Sequence, residues 1–393
     1  MESLAKVFQA PPKPDGPPYW AGRVSSYNLA FYPREYYVQA AIVGAALVYA
    51  LVAAVGRWWN RRIVQDMERE LTRAIAPQFA HVGANNDAPA LLWNGGDQAV
   101  LFASGRKGVD TFHATFSLAP RHDPLLYLVS LLVDTFTLPR VPNLKEDLVS
   151  FTFKIPAADR KPVGTFAIVA KSALPRVLHN RFDLSFGRLL ESSEAGRARS
   201  LDERFAIVSE AGNITDRFLG EEGPRGDEQR SKVVFSSLLS GLSGGDFLSL
   251  VWTDQPAERP TGGAIPADAR VERLELTLRL PRGREASVQA VPLVVAALDI
   301  VDALHLTATG RSDLFALRPE TVTALKKTRT EVDRVLDKSA SKGGAGAADA
   351  HVEEQRRAAL ERFDKLSPAE QAKKKEVEKR RAQRKSQSTV RRR

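Results

Sequence analysis

The chain has 393 residues, 43% of them hydrophobic, with 57 Lys/Arg against 47 Asp/Glu; that suits one large domain or two modest ones plus appendages. With no cysteine, it excludes a disulfide framework and a thiolate metal site. A net charge of +10 and a pI near 9.7 point to a polyanionic partner, either nucleic acid or an anionic membrane face.

The first 35 residues contain Pro11, Pro12, Pro14, Pro17 and Pro18 and no apolar run, so they do not read as a cleavable signal; residues 1–35 are expected to form a short lumenal tail. Residues 36–56 follow as a transmembrane helix. From Val38 to Val55 the only polar side chains are Gln39 and Tyr49. A helix of that length spans roughly 27 Å, close to the hydrocarbon thickness of a thin bilayer. Tyr32, Tyr36 and Tyr37 stand at one end and Trp58 and Trp59 at the other, as interfacial aromatic belts require. Only Arg23 and Arg34 precede the span closely, whereas Arg57, Arg61, Arg62, Arg69 and Arg73 follow it. The positive-inside rule then puts the N-terminus in the lumen and the C-terminus in the cytosol. Ala40, Ala41, Gly44, Ala45, Ala50 and Ala54 form small-xxx-small pairs through which another membrane helix could pack closely.

Residues 57–80 read as a juxtamembrane amphipathic helix with Ile63, Met67, Leu71 and Ile75 on one face, set either against the following domain or along the headgroups. Residues 81–338 are expected to form a cytosolic α+β domain with a largely antiparallel sheet. Its strand-like runs are "AVLFASG", "DTFHATFSL", "VSFTFKI", "TFAIVAK", "RFAIVSE", "KVVFSSLLS", "FLSLVWT" and "VERLELTLRL". Helices are predicted at "DPLLYLVSLLVDTF", "VPLVVAALDIVDALHL" and "RPETVTALKKTRTEVDRVL", the last with a narrow stripe of Val322, Leu325, Val332 and Leu336. Strands come in runs rather than alternating with helices, which favours α+β over a parallel α/β sheet. Residues 339–350, with "SKGGAGAADA", read as a flexible linker.

Residues 351–393 read as a basic helical tail. The last 33 residues hold 13 Lys/Arg and 5 Asp/Glu, a net of +8, so nearly all of the chain's excess charge lies there. Ser367, Pro368 and Glu370 make a capping box that starts a helix reaching Lys385. That helix has too few apolar positions for a coiled coil. It carries no large apolar residue to enter lipid and no aromatic to stack on bases. Its charges, Lys373, Lys374, Lys375, Lys379, Arg380, Arg381, Arg384 and Lys385, suit phosphates read by charge alone, as in RNA. A solvated charged tail and a lipid-binding one stay open beside that reading.

Chemistry is sparse. The six histidines are isolated, so no metal site is expected, and no Gly-rich phosphate loop is present. "GLSGG" matches a nucleophile elbow around Ser243 on paper, but "DFLSLVWT" follows where a helix should stand. A Gly-rich turn is the simpler reading, and the chain is not expected to be an enzyme or to need a cofactor.

The order of "RFAIVSEAGNITDRFLG", "LELTLRLP…VPLVVAALDIVDALHL" and the helix–"KLSPAEQ"–basic-helix ending resembles the calumin family, coiled-coil-domain ER membrane proteins of the PAT complex of the multipass translocon. The resemblance implies a ribosome-associated intramembrane chaperone subunit for multipass membrane proteins, with a small Asterix-like partner and the Sec translocon beside its span. It implies ribosomal RNA near the exit tunnel as the partner of the tail helix. Family members with a long acidic lumenal region are credited with calcium binding; the short Pro-rich segment here makes an ER calcium role less expected.

Overall fold

The structure is a computed structural model describing residues 17–24, 27–31, 37–83, 91–135, 146–156, 162–190, 201–219, 245–260, 263–266 and 269–341. The predicted strand "KVVFSSLLS", Ser243, most of the linker and the whole basic tail lie outside the described residues.

The described chain runs β1 (Trp20–Val24), β2 (Tyr27–Phe31), α1 (Tyr37–Ile75), β3 (His81–Val82), β4 (Leu91–Asn94), β5 (Gln98–Ser104), β6 (Thr111–Ser117), α2 (Pro124–Thr135), β7 (Leu148–Lys154) and β8 (Thr165–Ala170). It continues through α3 (Leu174–Asn180), a 3-10 turn (Asp183–Phe186), β9 (Arg188–Leu190), β10 (Phe205–Ser209), α4 (Gly212–Leu219), β11 (Phe247–Thr253), β12 (Arg273–Arg279), α5 (Arg284–Ala308) and α6 (Pro319–Ser341). The first two strands form a separate hairpin, with Trp20 opposite Phe31 and Val24 opposite Tyr27. The other ten make one sheet in the order β3-β5-β6-β7-β12-β11-β8-β10-β9, with β4 sharing the β5 edge with β3. Every pairing is antiparallel, so the predicted α+β class with an antiparallel sheet holds.

The sheet has two characters, and the sequence pattern of each strand follows its burial. In β5, β6, β7 and β12 burial alternates: Ala99, Leu101 and Ala103; Phe112, Ala114 and Phe116; Val149, Phe151 and Phe153; Leu274, Leu276 and Leu278. These side chains share one face, which packs with α5 and the second half of α1 in a single core. The opposite face is mostly Thr, Ser, Lys, Arg and Glu, with Val100, Phe102, His113 and Leu148 among them, and is partly solvated, as a two-sided antiparallel sheet permits. In β8, β10 and β11 every residue is buried. Phe166, Ile168, Ile207, Leu250 and Trp252 join the main core with Phe218 of α4. Ala167, Val169, Val208, Leu248 and Val251 form a second cluster with Leu184, and Leu174 and Val177 of α3 cover it. Continuous apolar runs such as "FAIV" therefore mark strands covered on both sides. Aromatic pairs reinforce the main core: Phe166 stacks on Phe218 at 4.3 Å, and Phe218 also meets Trp252 and Phe315.

The second cluster is fastened at its rim by charge. Arg181 donates through Nε and Nη2 to the buried Asp183 carboxylate at 3.1 and 2.7 Å, and pairs with Glu275 of β12. Arg273 pairs with Glu275 at 3.0 Å and donates to the Gln255 carbonyl at 2.7 Å. Four charges of alternating sign hold the 3-10 turn to the sheet.

By contact, the chain divides into residues 1–258 with 271–322, and residues 259–270 with 323–393. Within the second unit, Arg270 donates through Nη2 to both Asp333 oxygens at 2.6 and 2.7 Å, and the Ala264 N–H donates to Asp337 at 2.7 Å. Along α6, Leu325 and Leu336 are buried while Val322 and Val332 are half-buried, which is the stripe read from the sequence.

Glu272, at the mouth of β12, accepts the Trp252 indole N–H at 2.9 Å. Burial pushes its carboxyl up to about 7, opposed by the Trp252 bond and aided by the Asp254 charge. The folded value lies above the unfolded one of about 4.3. Its contribution is thus complete below pH 4 and is lost as pH rises towards 7. Glu272→Gln is expected to raise the unfolding temperature by a few degrees at pH 8.5 and leave it unchanged at pH 4.5. Thermal melts at the two pH values check this.

Candidate membrane interface

Helix α1 is one uninterrupted helix of 39 residues, about 58 Å long at 1.5 Å per residue. Its two halves face different surroundings. Val43, Leu47, Val48, Leu51, Val55, Trp58 and Trp59 are exposed, and only 6% of its most apolar window is covered by the rest of the chain. In the second half Val64, Met67, Leu71 and Ile75 are buried in the core, with Ile63 packed partly against it. The predicted face of Ile63, Met67, Leu71 and Ile75 therefore packs on the body rather than along headgroups. The same seam runs back into the apolar half through Ala53, Gly56 and Asn60, each buried, at spacings of three and four residues.

Those three positions are where the body grips the helix. A Cβ on Gly56 would lie 2.2 Å from the Arg121 carbonyl oxygen, so only glycine lets the backbone of residues 121–122 approach so closely. Asn60 is fully buried and fully used: its Nδ2 donates to the Gly96 and Ala119 carbonyls at 2.8 and 3.1 Å, and its Oδ1 accepts from Arg121 Nη1 at 2.9 Å. Arg121 also forks onto Asp147, Nη1 to Oδ1 and Nη2 to Oδ2, both at 2.8 Å. The Ala119 N–H donates to the same carboxylate at 3.0 Å, and Arg282 at 3.3 Å. Burial pushes the Asp147 carboxyl up, but the Arg121 and Ala119 bonds and the Arg121 charge outweigh it and hold it below the usual carboxylate range. Its stabilisation is present above the unfolded value near 3.9 and is lost as pH falls through the folded value. Below this node, Glu70 of α1 accepts from Arg284 at the start of α5 at 3.1 Å.

Sequence reasoning missed this node. Arg121 and Asp147 are 26 residues apart and read as ordinary surface charges. The one local signal was the seam itself: Ala53, Gly56 and Asn60 extend the 3–4 spacing of Val64, Met67, Leu71 and Ile75 upward, with small or amide side chains where apolar ones would be expected. The predicted packing residues Ala40, Ala41, Ala45, Ala50 and Ala54 are exposed, and a Cβ on Gly44 would meet nothing within 4 Å; that stretch is open along α1.

A second helix shares this surface. Leu125, Leu126, Tyr127, Leu128 and Val129 of α2 are all exposed, so its described side chains point an apolar surface outward all round. Helix α5 is also long and apolar enough to cross a membrane, but more than half of its apolar stretch is buried within the body and it is a core helix. Among the described residues no three His, Asp or Glu side chains gather to hold a metal. Lys373, Lys374, Lys375, Lys379, Arg380, Arg381, Arg384 and Lys385 lie outside the described residues.

An α+β body gripping a long helix whose other half is apolar and bare describes a membrane-anchored protein. The family described as PAT complex subunit CCDC47 matches residues 35–385, and the chain belongs to that family, as the resemblance implied. It is also 23% identical over 162 residues to a UPF0674 endoplasmic reticulum membrane protein of the fission yeast Schizosaccharomyces pombe, covering 40% of this chain and 43% of that protein.

Arg121→Ala leaves Asp147 buried with Arg282 as its remaining charged partner and strips Asn60 Oδ1 of its donor. It is expected to cost about 3 kcal/mol. The Arg121→Ala/Asp147→Ala double variant should lose less than the sum of the two single losses; denaturant unfolding in detergent reads this double-mutant cycle.

Proposed function

We propose that this chain is an ER membrane protein-biogenesis factor: a ribosome- and translocon-associated subunit of an intramembrane chaperone for multipass membrane proteins. Family membership over residues 35–385 supports association with a translocon-related complex. The observation that carries the reading is α1, bare and apolar in one half and locked into the body in the other. In this reading the bare half is the single full span, with the N-terminus lumenal and the body cytosolic. Its open small-residue stretch around Gly44 receives an Asterix-like small membrane protein or a neighbouring translocon subunit. The body is a platform rather than a catalyst. That tail reaches ribosomal RNA near the exit tunnel through Lys373, Lys374, Lys375, Lys379, Arg380, Arg381, Arg384 and Lys385 by counterion release.

Ribosome co-sedimentation from solubilised membranes tests the tail, comparing the full chain with one ending at Ala350 across a salt series. Loss of pelleting on truncation, with steep salt dependence in the full chain, is the expected result. Equal and salt-insensitive pelleting would assign the contact to the body. No pelleting by either, together with flotation on anionic liposomes, would make the tail a lipid-binding element instead.

Orientation has its own marker. Asn213, in the sequon "NIT", accepts from the Arg318 N–H at 3.0 Å at the head of α4. Facing the cytosol, it should stay unmodified; a glycan there would reverse the topology. Gly44→Leu should reduce co-purification of small membrane partners while leaving ribosome pelleting unchanged.

A further inference from the structure

Helix α2 has 12 residues and the sequence PLLYLVSLLVDT. A run this apolar and this short is ordinarily a buried core helix or a segment that enters a membrane without crossing it. The first choice fails on exposure: Leu125 is 66% exposed, Leu128 52% and Val129 50%. Five consecutive exposed residues, Leu125 to Val129, sweep all sides of a helix. An interfacial amphipathic helix, which needs a polar face, fits no better.

Position supplies the rest. The Asp123 carboxylate caps α2 by accepting from the Leu125 and Leu126 N–H groups at 3.0 Å. The same carboxylate lies beside the Tyr49 hydroxyl of α1. Tyr49 lies seven residues before Gly56, about 10 Å further along the apolar half, while Gly56 abuts the backbone of residues 121–122. The start of α2 is thus held against the last two turns of the apolar half, beyond the level of Trp58 and Trp59. Whatever apolar phase covers Leu51 and Val55 there also surrounds α2. Finally, the excursion closes on itself. The chain departs at Arg121 and is back at Asp147, and those two side chains form the bidentate ion pair already described. Both ends are therefore on the body's side. A helix of about 18 Å cannot cross some 30 Å of hydrocarbon.

We infer that α2 is a re-entrant segment buried in the lipid of the leaflet nearest the body, alongside the span and leaving by the side it entered. This rests on the reading of α1 as a membrane span. Besides anchoring, it puts a second apolar helix into the same leaflet, its start held at Tyr49 and Gly56 of α1.

The cysteine-free chain makes the test direct. Leu128→Cys, Leu47→Cys on the span and Val335→Cys on exposed α6 are each spin-labelled in the full chain and reconstituted alone into phosphatidylcholine vesicles. Collision with oxygen and with a water-soluble nickel chelate is measured by power saturation. The expected result is a label at 128 that, like the one at 47, meets oxygen readily and nickel at least tenfold less than the label at 335. A label at 128 behaving like 335 while 47 remains oxygen-rich overturns the re-entrant reading and leaves the span intact. Labels at 47 and 128 both open to nickel would overturn the span itself. A parallel measurement treats the Leu128→Cys variant with an impermeant maleimide on intact microsomes. Protection of its thiol there, with nickel exposure in pure lipid vesicles, means that a partner protein covers α2, and it also overturns the lipid assignment.

Discussion

A single rigid helix that must satisfy two surroundings governs this molecule. Nothing in α1 breaks between the bare apolar half and the core-packed half: proline is absent and the hydrogen-bond ladder is continuous over 39 residues. The body therefore cannot hang on a flexible stem; its attitude to the anchor is set where surface changes into core, between Ala53 and Val64. In those three turns the helix exchanges an apolar coat for backbone and polar contacts. Glycine removes the steric barrier, and asparagine satisfies two carbonyls and one guanidinium that would otherwise be stranded in a dry seam. An unpaired buried polar group there costs about 1–3 kcal/mol, so the seam tolerates no loosely matched residue.

The sheet then serves as the other half of the clamp. Its alternating strands give α1 and α5 one continuous apolar face of phenylalanine and leucine, and its doubly covered strands stiffen the far end. The charges that hold the second layer, Arg181, Asp183, Arg273 and Glu275, satisfy one another at the rim instead of converging on a cavity. They fix geometry and leave no spare acid, base or nucleophile between them.

Much of this was legible from residue order because period reports surroundings. Strands with one wet face alternate, as in "RLELTLR"; strands with none run apolar, as in "FLSLVWT"; and both were readable. So was the apolar face of α1 through Met67, Leu71 and Ile75. What escaped were elements defined by long-range company. The hairpin of β1 and β2 sits in a Pro-rich segment without an obvious period. β3, β4 and β9 have two to four residues each, too short to carry a pattern. The Arg121–Asp147 fork joins residues from opposite ends of a 26-residue excursion, and no local rule pairs them.

Apolarity alone sorts nothing here, and that limit is physical. The first half of α1, most of α2 and residues 290–298 of α5 are apolar runs that oil and protein core would accept equally, since transfer from water to either is favourable by a similar amount per unit area. What separates them is which surface the fold leaves uncovered. Leu293, Val294, Leu298 and Ile300 of α5 are buried in the core with the sheet and α1. Leu47, Leu51, Leu125 and Leu128 are exposed among the described residues, and the Arg121–Asp147 pair and Gly56 hold the start of α2 against α1. Contiguous apolar surface on that scale is not left to water. The grip on α1 and the delivery of α2 are consequences of the same few polar contacts, so the node that orients the body on α1 also sets where α2 begins.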